Sequence, residues 1–134
     1  MTTYLLDTNI VSAMAHDPHG PVYGRIAAAG IENVLTSIIV AAEVRFGLAR
    51  KRSSRLAQQA EAVLAKLHVV PLGQGVDARY ADLRYDLERQ GRPIGANDLF
   101  IAAHALALGA TLVTDNLREF ERVEGLALEN WLRD

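Results

Sequence analysis

Short apolar strands and helix-forming segments alternate along all 134 residues of the chain. Each strand-like run is brief and is followed by a longer segment that begins near capping or turn-forming residues. Parallel strands need such helical crossovers, so this alternation predicts a parallel sheet with helices on both faces. We therefore expect an α/β protein with three layers, α/β/α, in a single domain covering residues 1–134.

The predicted strands are short, and they cover residues 4–6, 34–36, 69–70, 111–114 and 126–128. The predicted helices cover residues 8–15, 22–29, 37–51, 53–67, 76–90 and 97–108. Ser37 is suited to cap the third helix, and Asn97 or Asp98 to cap the last one. Gly109 stands where a helix usually ends.

Composition narrows the classes of function. The chain has no cysteine, which excludes disulfides, thiolate zinc sites and a cysteine nucleophile. The net charge of -2 predicts no global attraction to nucleic acid or anionic membranes, so any RNA contact must be local. The first residues lack the regions of a signal peptide, and no apolar run approaches the roughly 20 residues that span a bilayer. We expect a soluble, cytoplasmic protein without membrane association.

Four acids stand beside apolar segments, namely Asp7, Glu43, Asp98 and Asp115. Asp7 and Asp115 follow predicted strands, whereas Glu43 and Asp98 belong to predicted helices. Carboxyl ends of parallel strands meet at one edge of a sheet, where sites in such folds form. Carboxylates gathered there would repel one another, and a hard cation such as Mg²⁺ or Mn²⁺ supplies the counter-charge.

Clustered carboxylates that hold one or two Mg²⁺ ions suit phosphodiester hydrolysis, because the metal polarises the phosphate and activates water. The alternative gives each acid a separate structural role. Asp7 and Asp98 would then be helix caps, and Glu43 would pair with Arg45 or Arg50. The shared position of the acids beside apolar segments favours the cluster.

Four segments, in order, resemble the motifs of PIN-domain ribonucleases, and specifically of VapC-type toxins from type II toxin–antitoxin pairs. The segments are LLDTNIVS (5–12), SIIVAAEVRFG (37–47), IGANDLFIAAHALALGATLVTDN (94–116) and NLREFERVEGLALENW (116–131). Together they cover nearly the whole chain. The resemblance implies a PIN-like fold with a central parallel sheet.

The resemblance also implies roles for individual residues. Asp7 and Asp98 would be the principal Mg²⁺ ligands, with Mn²⁺ as a substitute, and Glu43 would be the third acid. Side chains that orient these carboxylates would be those of Thr8, Asn9, Ser37 and Thr114.

The fourth acidic position departs from the family pattern. Many PIN domains carry an aspartate two residues after the threonine of the last motif, and Asn116 stands there in this chain. Asp115 precedes it and would compensate as the fourth catalytic acid, or Glu119 would reach in from the following turn. Asn116 would remain a neutral ligand or a donor to phosphate.

As a member of that family, the chain would be a metal-dependent endoribonuclease that cuts tRNA or mRNA and arrests translation. A VapB-type antitoxin would neutralise it, and operator DNA would be bound only through the antitoxin. A homodimer is implied, with a heterotetramer or larger assembly when the antitoxin binds. Two alternatives stay open: an impaired PIN domain that acts as a binding module, and a nuclease for other RNA or DNA processing.

The basic stretch after Glu43 and the four histidines are the remaining residues considered for a role in binding or catalysis. No acid interrupts residues 44–60, where the cations Arg45, Arg50, Lys51 and Arg52 are candidates to bind RNA phosphates. A solvated helix end is the alternative interpretation, since cations favour that end of the helix dipole. The four histidines lack a metal-ligand spacing, and we expect them to be structural or exposed.

Overall fold

Five parallel strands form one sheet in the computed structural model, which describes residues 1–133. In chain order the strands are β1 (Tyr4–Leu6), β2 (Val34–Ser37), β3 (His68–Val70), β4 (Thr111–Val113) and β5 (Leu128–Glu129). Their order across the sheet is β3-β2-β1-β4-β5, and every neighbouring pair is parallel. The three-layer α/β/α architecture predicted from the alternation is confirmed.

Helices connect the strands, as parallel pairing requires. They are α1 (Thr8–His16), α2 (Pro21–Ala29), α3 (Ile38–Lys51), α4 (Ser54–Lys66), α5 (Val76–Arg89), α6 (Ala96–Leu108) and the short α7 (Leu117–Phe120). A 3-10 turn, Ile31–Asn33, precedes β2. No helix within residues 1–133 is both long and apolar enough to cross a membrane.

The centre of the sheet is β1, which pairs with β2 on one side and with β4 on the other. Leu5 and Leu6 are fully buried there, and Leu112 and Val113 of β4 are equally inaccessible. The chain builds β2 and β3 on one side of β1 and then returns to build β4 on the other. The carboxyl ends of β1 and β4 therefore flank a topological switch point, where ligands of such sheets bind.

Side-chain caps mark the starts of three helices, α1, α3 and α4. The Asp7 side chain accepts a hydrogen bond from the Thr8 backbone N–H, and Ser37 Oγ accepts one from the Ile39 N–H. Gly109 ends α6 with a left-handed backbone, φ 66°, which glycine adopts without a Cβ penalty. The predicted cap of Ser37 and the predicted end at Gly109 are confirmed.

Two predicted boundaries are wrong. α6 starts at Ala96 and its cap is Gly95, which has an extended backbone, so neither Asn97 nor Asp98 is the cap. Residues 126 and 127 precede the last strand instead of opening it, because the Leu126 N–H donates to the Val123 carbonyl in a turn. The short helix α7 was not predicted.

Trp131 fixes the C-terminal segment to the sheet. Its side chain is 2% exposed and its ring lies 5.0 Å from that of Tyr4 on β1, centroid to centroid. Its indole N–H donates to Glu129 Oε1 at 2.9 Å. The aromatic contact therefore joins the segment after β5 to the central strand.

Replacing Trp131 by alanine should lower the free energy of unfolding by roughly 3–5 kcal/mol, the usual cost of removing a buried aromatic side chain. Urea denaturation followed by circular dichroism measures the loss. Leu108→Ala is a suitable control, because Leu108 is partly exposed at the end of α6 and should cost much less. Similar losses for both variants would contradict this role of Trp131.

Candidate active site

Asp7 lies at the carboxyl end of the central strand and is only 4% exposed. The Thr114 hydroxyl donates to its Oδ2 at 2.7 Å, and the Thr8 backbone N–H donates to its Oδ1 at 2.8 Å. Burial nevertheless raises the pKa of Asp7 above its usual value, and the nearby charges of Glu43 and Glu119 add to that rise. The Thr114 bond crosses from β4 to β1, so it spans the switch point.

Asp98 is in the first turn of α6 and is half-buried. Burial and the Glu119 carboxylate raise its pKa to about 7, with smaller contributions from Asp7 and Glu43. A carboxyl group titrates that high when its charged form is both desolvated and repelled by other anions. Asp98 therefore sits among carboxylates that repel its charged form.

Glu43 reaches this cluster from the middle of α3. Its Oε1 accepts a hydrogen bond of 2.6 Å from the Thr8 hydroxyl, and its Oε2 accepts one of 3.3 Å from the Asn97 amide. These bonds fix both carboxylate oxygens beside the start of α1 and α6. Within residues 1–133 Glu43 forms no ion pair with Arg45 or Arg50, so the alternative of a structural salt bridge is not supported.

Glu119, on the short helix α7, is the fourth carboxylate of the cluster. The Asn116 side-chain amide donates to its Oε2 at 2.7 Å, and the Gly95 backbone N–H donates to its Oε1 at 3.3 Å. It raises the pKa of both Asp7 and Asp98. Asn116 therefore holds Glu119 in place, and Glu119 supplies the charge that the sequence lacks at position 116.

Asp115, predicted as the fourth acid, lies against the C-terminal segment instead. Its Oδ1 accepts hydrogen bonds from Asn130 Nδ2 at 2.8 Å and from Arg133 Nε at 3.0 Å. Those two bonds lower its pKa below the usual range, in contrast to Asp7 and Asp98. Its backbone N–H donates to the Asn9 side chain at 3.3 Å. Asp115 thus ties the chain end to the loop that carries Asn116.

The remaining predicted residues divide between the cluster and the scaffold. Thr8 and Thr114 bond directly to its carboxylates, as expected. Ser37 does not: it caps α3 and shares a 2.9 Å hydrogen bond with the buried ring of His104. Burial lowers the pKa of His104, which fits the structural role predicted for it.

The basic stretch is exposed along the second half of α3 and beyond. Arg45 forms a two-point ion pair with Glu61 of α4, with Nε 2.8 Å from Oε1. Arg50 lies over the Phe46 ring, 5.0 Å from its centroid, and lines clefts that also include Glu43. Lys51 and Arg52 are exposed at the end of the helix. Arg50 lines two clefts with Glu43, and Lys51 lines one of them.

The cluster offers only oxygen ligands, which suits a hard divalent cation and disfavours a soft one. Within residues 1–133, no three acidic or histidine side chains yet converge closely enough to hold an ion. Burial and repulsion from neighbouring carboxylates raise the pKa of Asp98, so a divalent cation would favour its charged form. The donor chemistry therefore fits a divalent cation, and binding requires the side chains to draw together.

Comparison with known proteins matches this arrangement to a family. Residues 4–126 match the family model of the PIN domain. The chain is 36% identical over 130 residues to Ribonuclease VapC2 of Rickettsia felis, covering 96% of this chain and 97% of that protein. It is 31% identical to the tRNA(fMet)-specific endonuclease VapC of Shigella flexneri, covering 98% and 99%.

This chain belongs to the PIN-domain family, in its VapC branch. The crystal structure of VapBC2 from Rickettsia felis bound to a promoter DNA fragment has a chain of the same fold, with a TM-score of 0.86 and 34% identity. That match covers 97% of this chain and 99% of the other. PIN-domain nucleases generally need divalent metal ions. The four carboxylates of this PIN domain lie around the switch point of the sheet.

The raised pKa of Asp98 predicts a pH-dependent stability in metal-free buffer. The Asp98 carboxyl ionises near pH 7 in the folded protein and near pH 4 in the unfolded chain. The wild-type protein therefore loses stability as pH rises between those values, because the unfolded chain releases this proton more readily. Asp98→Asn removes that loss. We expect the melting temperature of the variant to equal that of wild type near pH 4 and to exceed it at pH 8.

Differential scanning fluorimetry across this pH range measures the effect. Asp82→Asn on α5 is the matched control, since Asp82 is an exposed acid outside the cluster. A rise in melting temperature for Asp98→Asn that is the same at every pH would show that charge repulsion at Asp98 is not its cause.

The geometry also separates Glu119 from Asp115. Glu119→Gln should lower the rate of RNA cleavage by roughly 10- to 100-fold, the usual effect of losing a group that supports metal ligands. Asp115→Asn, which keeps the shape of the side chain, should retain a rate close to wild type. Steady-state cleavage assays on both purified variants test this, and the opposite order would restore Asp115 to the cluster.

Proposed function

We propose that this chain is a single PIN domain of residues 1–134 that acts as a Mg²⁺-dependent endoribonuclease, the toxin of a type II toxin–antitoxin pair. The observation that carries the proposal is the cluster of Asp7, Glu43, Asp98 and Glu119, in which the pKa of Asp98 is raised to about 7. A divalent cation bound to such a cluster would remove the repulsion among its carboxylates, which favours binding. Relatives with full-length similarity bear the names ribonuclease and endonuclease.

Asp7 and Asp98 would be the principal ligands of Mg²⁺, with Mn²⁺ as a substitute, and Glu43 and Glu119 would complete the negative site. When bound, a divalent ion supplies positive charge to the phosphate and acidifies water. The chain itself contributes rigidity. Thr114 and the Thr8 N–H hold both oxygens of Asp7, and the Thr8 hydroxyl holds Glu43, so these two acids are oriented at the end of the central strand.

RNA is the proposed substrate, and tRNA is its leading candidate because the Shigella flexneri relative is named as specific for tRNA(fMet). The acids repel a polyanion, so substrate binding needs cations at their border. Arg50 is placed there, with Lys51 one residue beyond it on the exposed helix end. The neutral Asn116 and Asn97 amides add hydrogen-bond donors without further negative charge.

A VapB-type antitoxin is the proposed partner, as in the VapBC complex from Rickettsia felis. A groove of about 250 Å³ between α1, α3 and α4 offers an apolar surface for it, lined among others by Ala15, Val44, Leu48, Leu56 and Ala60. Thr8 and Glu43 lie at the edge of the same groove. A segment bound there would therefore block access to the acids, and operator DNA would be bound through the antitoxin.

The proposal predicts that the purified protein cuts total cellular RNA into discrete fragments in Mg²⁺ and not in EDTA. Asp98→Asn should reduce the rate by at least about 100-fold, since a principal metal ligand is lost. Sequencing of the fragment ends identifies the RNA. Addition of the antitoxin should suppress cleavage by the wild-type protein.

The matched control is Asp82→Asn, which removes an equal charge from the exposed face of α5. Cleavage that persists in EDTA, or that survives in Asp98→Asn, would indicate a contaminating or metal-independent nuclease. Metal binding without cleavage of any RNA would favour the alternative of an impaired PIN domain that serves as a binding module.

A further inference from the structure

One face of α3 continues outward from the acid cluster. Phe46 and Gly47 lie three and four residues after Glu43, and Arg50 lies four residues after Phe46, so the four residues share this face. They line a cleft of about 540 Å³ together with Thr8, Ala42 and Asn97. Glu43 of the acid cluster, the Phe46 ring and the Arg50 guanidinium therefore line the same cleft.

Phe46 is 64% exposed, which is unusual for a phenylalanine on a helix that packs against the sheet. The Arg50 guanidinium lies 5.0 Å from its ring centroid and keeps a cation beside the exposed ring. An exposed aromatic ring next to a cation provides the two contacts that single-stranded nucleic acid needs, stacking for a base and charge for a phosphate.

Gly47 lines the same cleft beside Phe46 and Arg50. It lies in the interior of α3, where glycine is less favourable than alanine. Nothing lies within 4 Å of the position its Cβ would take, and its backbone does not need a positive φ. Glycine therefore leaves the backbone of α3 without a covering side chain on the cleft wall beside Phe46 and Arg50.

We propose that this cleft is a subsite for one unpaired nucleotide of the RNA, adjacent to the phosphate that is cut. The base stacks on Phe46, Arg50 contacts a phosphate, and Gly47 leaves room for the sugar-phosphate chain. The subsite rests on the proposed ribonuclease function and adds a substrate requirement to it. A base within a duplex has no free face, so the subsite selects a loop or single-stranded segment.

A protein segment is the competing occupant of the cleft. The apolar groove between α1, α3 and α4 adjoins this cleft and shares Thr8, Glu43, Gly47 and Arg50 with it. Beyond the shared residues, the groove adds aliphatic side chains that suit a protein segment, namely those of Ala15, Val44, Leu48, Leu56 and Ala60. The cleft adds Phe46, Ala42 and Asn97 instead. The exposed ring beside Arg50, without the aliphatic wall of the groove, therefore favours RNA in the Phe46 cleft.

The test measures RNA affinity in an Asp98→Asn background with Mg²⁺, so that the RNA stays intact. The probe is a short single-stranded oligoribonucleotide of mixed sequence with a fluorescent end, followed by anisotropy. Phe46→Leu, which keeps an apolar side chain without a ring, should weaken binding roughly tenfold, the effect of losing one stacked base. Phe46→Trp should bind as tightly as the parent or more tightly.

Tyr85 and Arg89 provide a matched control pair on α5. Tyr85 is 68% exposed and Arg89 lies 5.9 Å from its ring centroid, in the same arrangement as Phe46 and Arg50 but on a helix that carries no acid of the cluster. Tyr85→Leu should leave RNA affinity unchanged. An equal loss in both variants would overturn the proposal, because any exposed aromatic would then have the same effect.

An abasic oligonucleotide of the same length isolates the stacking contribution. Phe46→Leu and its parent should bind this probe equally, since only phosphates remain to be contacted. Equal loss on both probes, no loss on either, or loss of antitoxin binding alone would each overturn the nucleotide subsite. The ribonuclease function is tested separately by metal-dependent cleavage, so RNA that is cut normally by Phe46→Leu, with unchanged KM, refutes the subsite and not the enzyme.

Discussion

Repulsion among four carboxylates at the end of the central strand is the constraint on which the functional site depends. Asp7 is almost completely buried there, and Glu43, Glu119 and Asp98 surround it. Hydrogen bonds from Thr114 and Thr8 lower the cost of the buried charge but do not cancel it, because the pKa of Asp7 remains raised. The fold thus keeps a concentrated negative charge that a divalent cation can neutralise.

The sheet topology makes that concentration possible. Because β1 lies between β2 and β4, its carboxyl end lies where the order of the strands reverses. Helix α3 then brings Glu43, the start of α6 brings Asp98, and α7 brings Glu119. Each acid comes from a different element, so the distances between the carboxylates depend on how these elements pack together. The exposed ring of Phe46 extends the same surface outward along α3.

Much of this was predictable because strand ends and apolar flanks are local features of the sequence. Asp7, Glu43 and Asp98 were found in that way, and the alternation of segments gave the parallel sheet. The fourth acid was not predictable in the same way. Asp115 and Glu119 both follow β4 closely, and the choice between them depends on α7 and on the long-range contacts of Asn130 and Arg133. Likewise, Gly95 caps α6 through its backbone alone, which leaves no side-chain signal to find.

Proton release on metal binding tests the central claim most directly. Titration of Mn²⁺ into the metal-free protein, by calorimetry in buffers of different ionisation enthalpy, counts the protons displaced. Because the pKa of Asp98 is raised to about 7 by burial and by its acidic neighbours, binding near pH 6 should release about one proton, and binding at pH 8.5 almost none. Binding without proton release at either pH, or no binding at all, would contradict a cation site built from these repelling carboxylates.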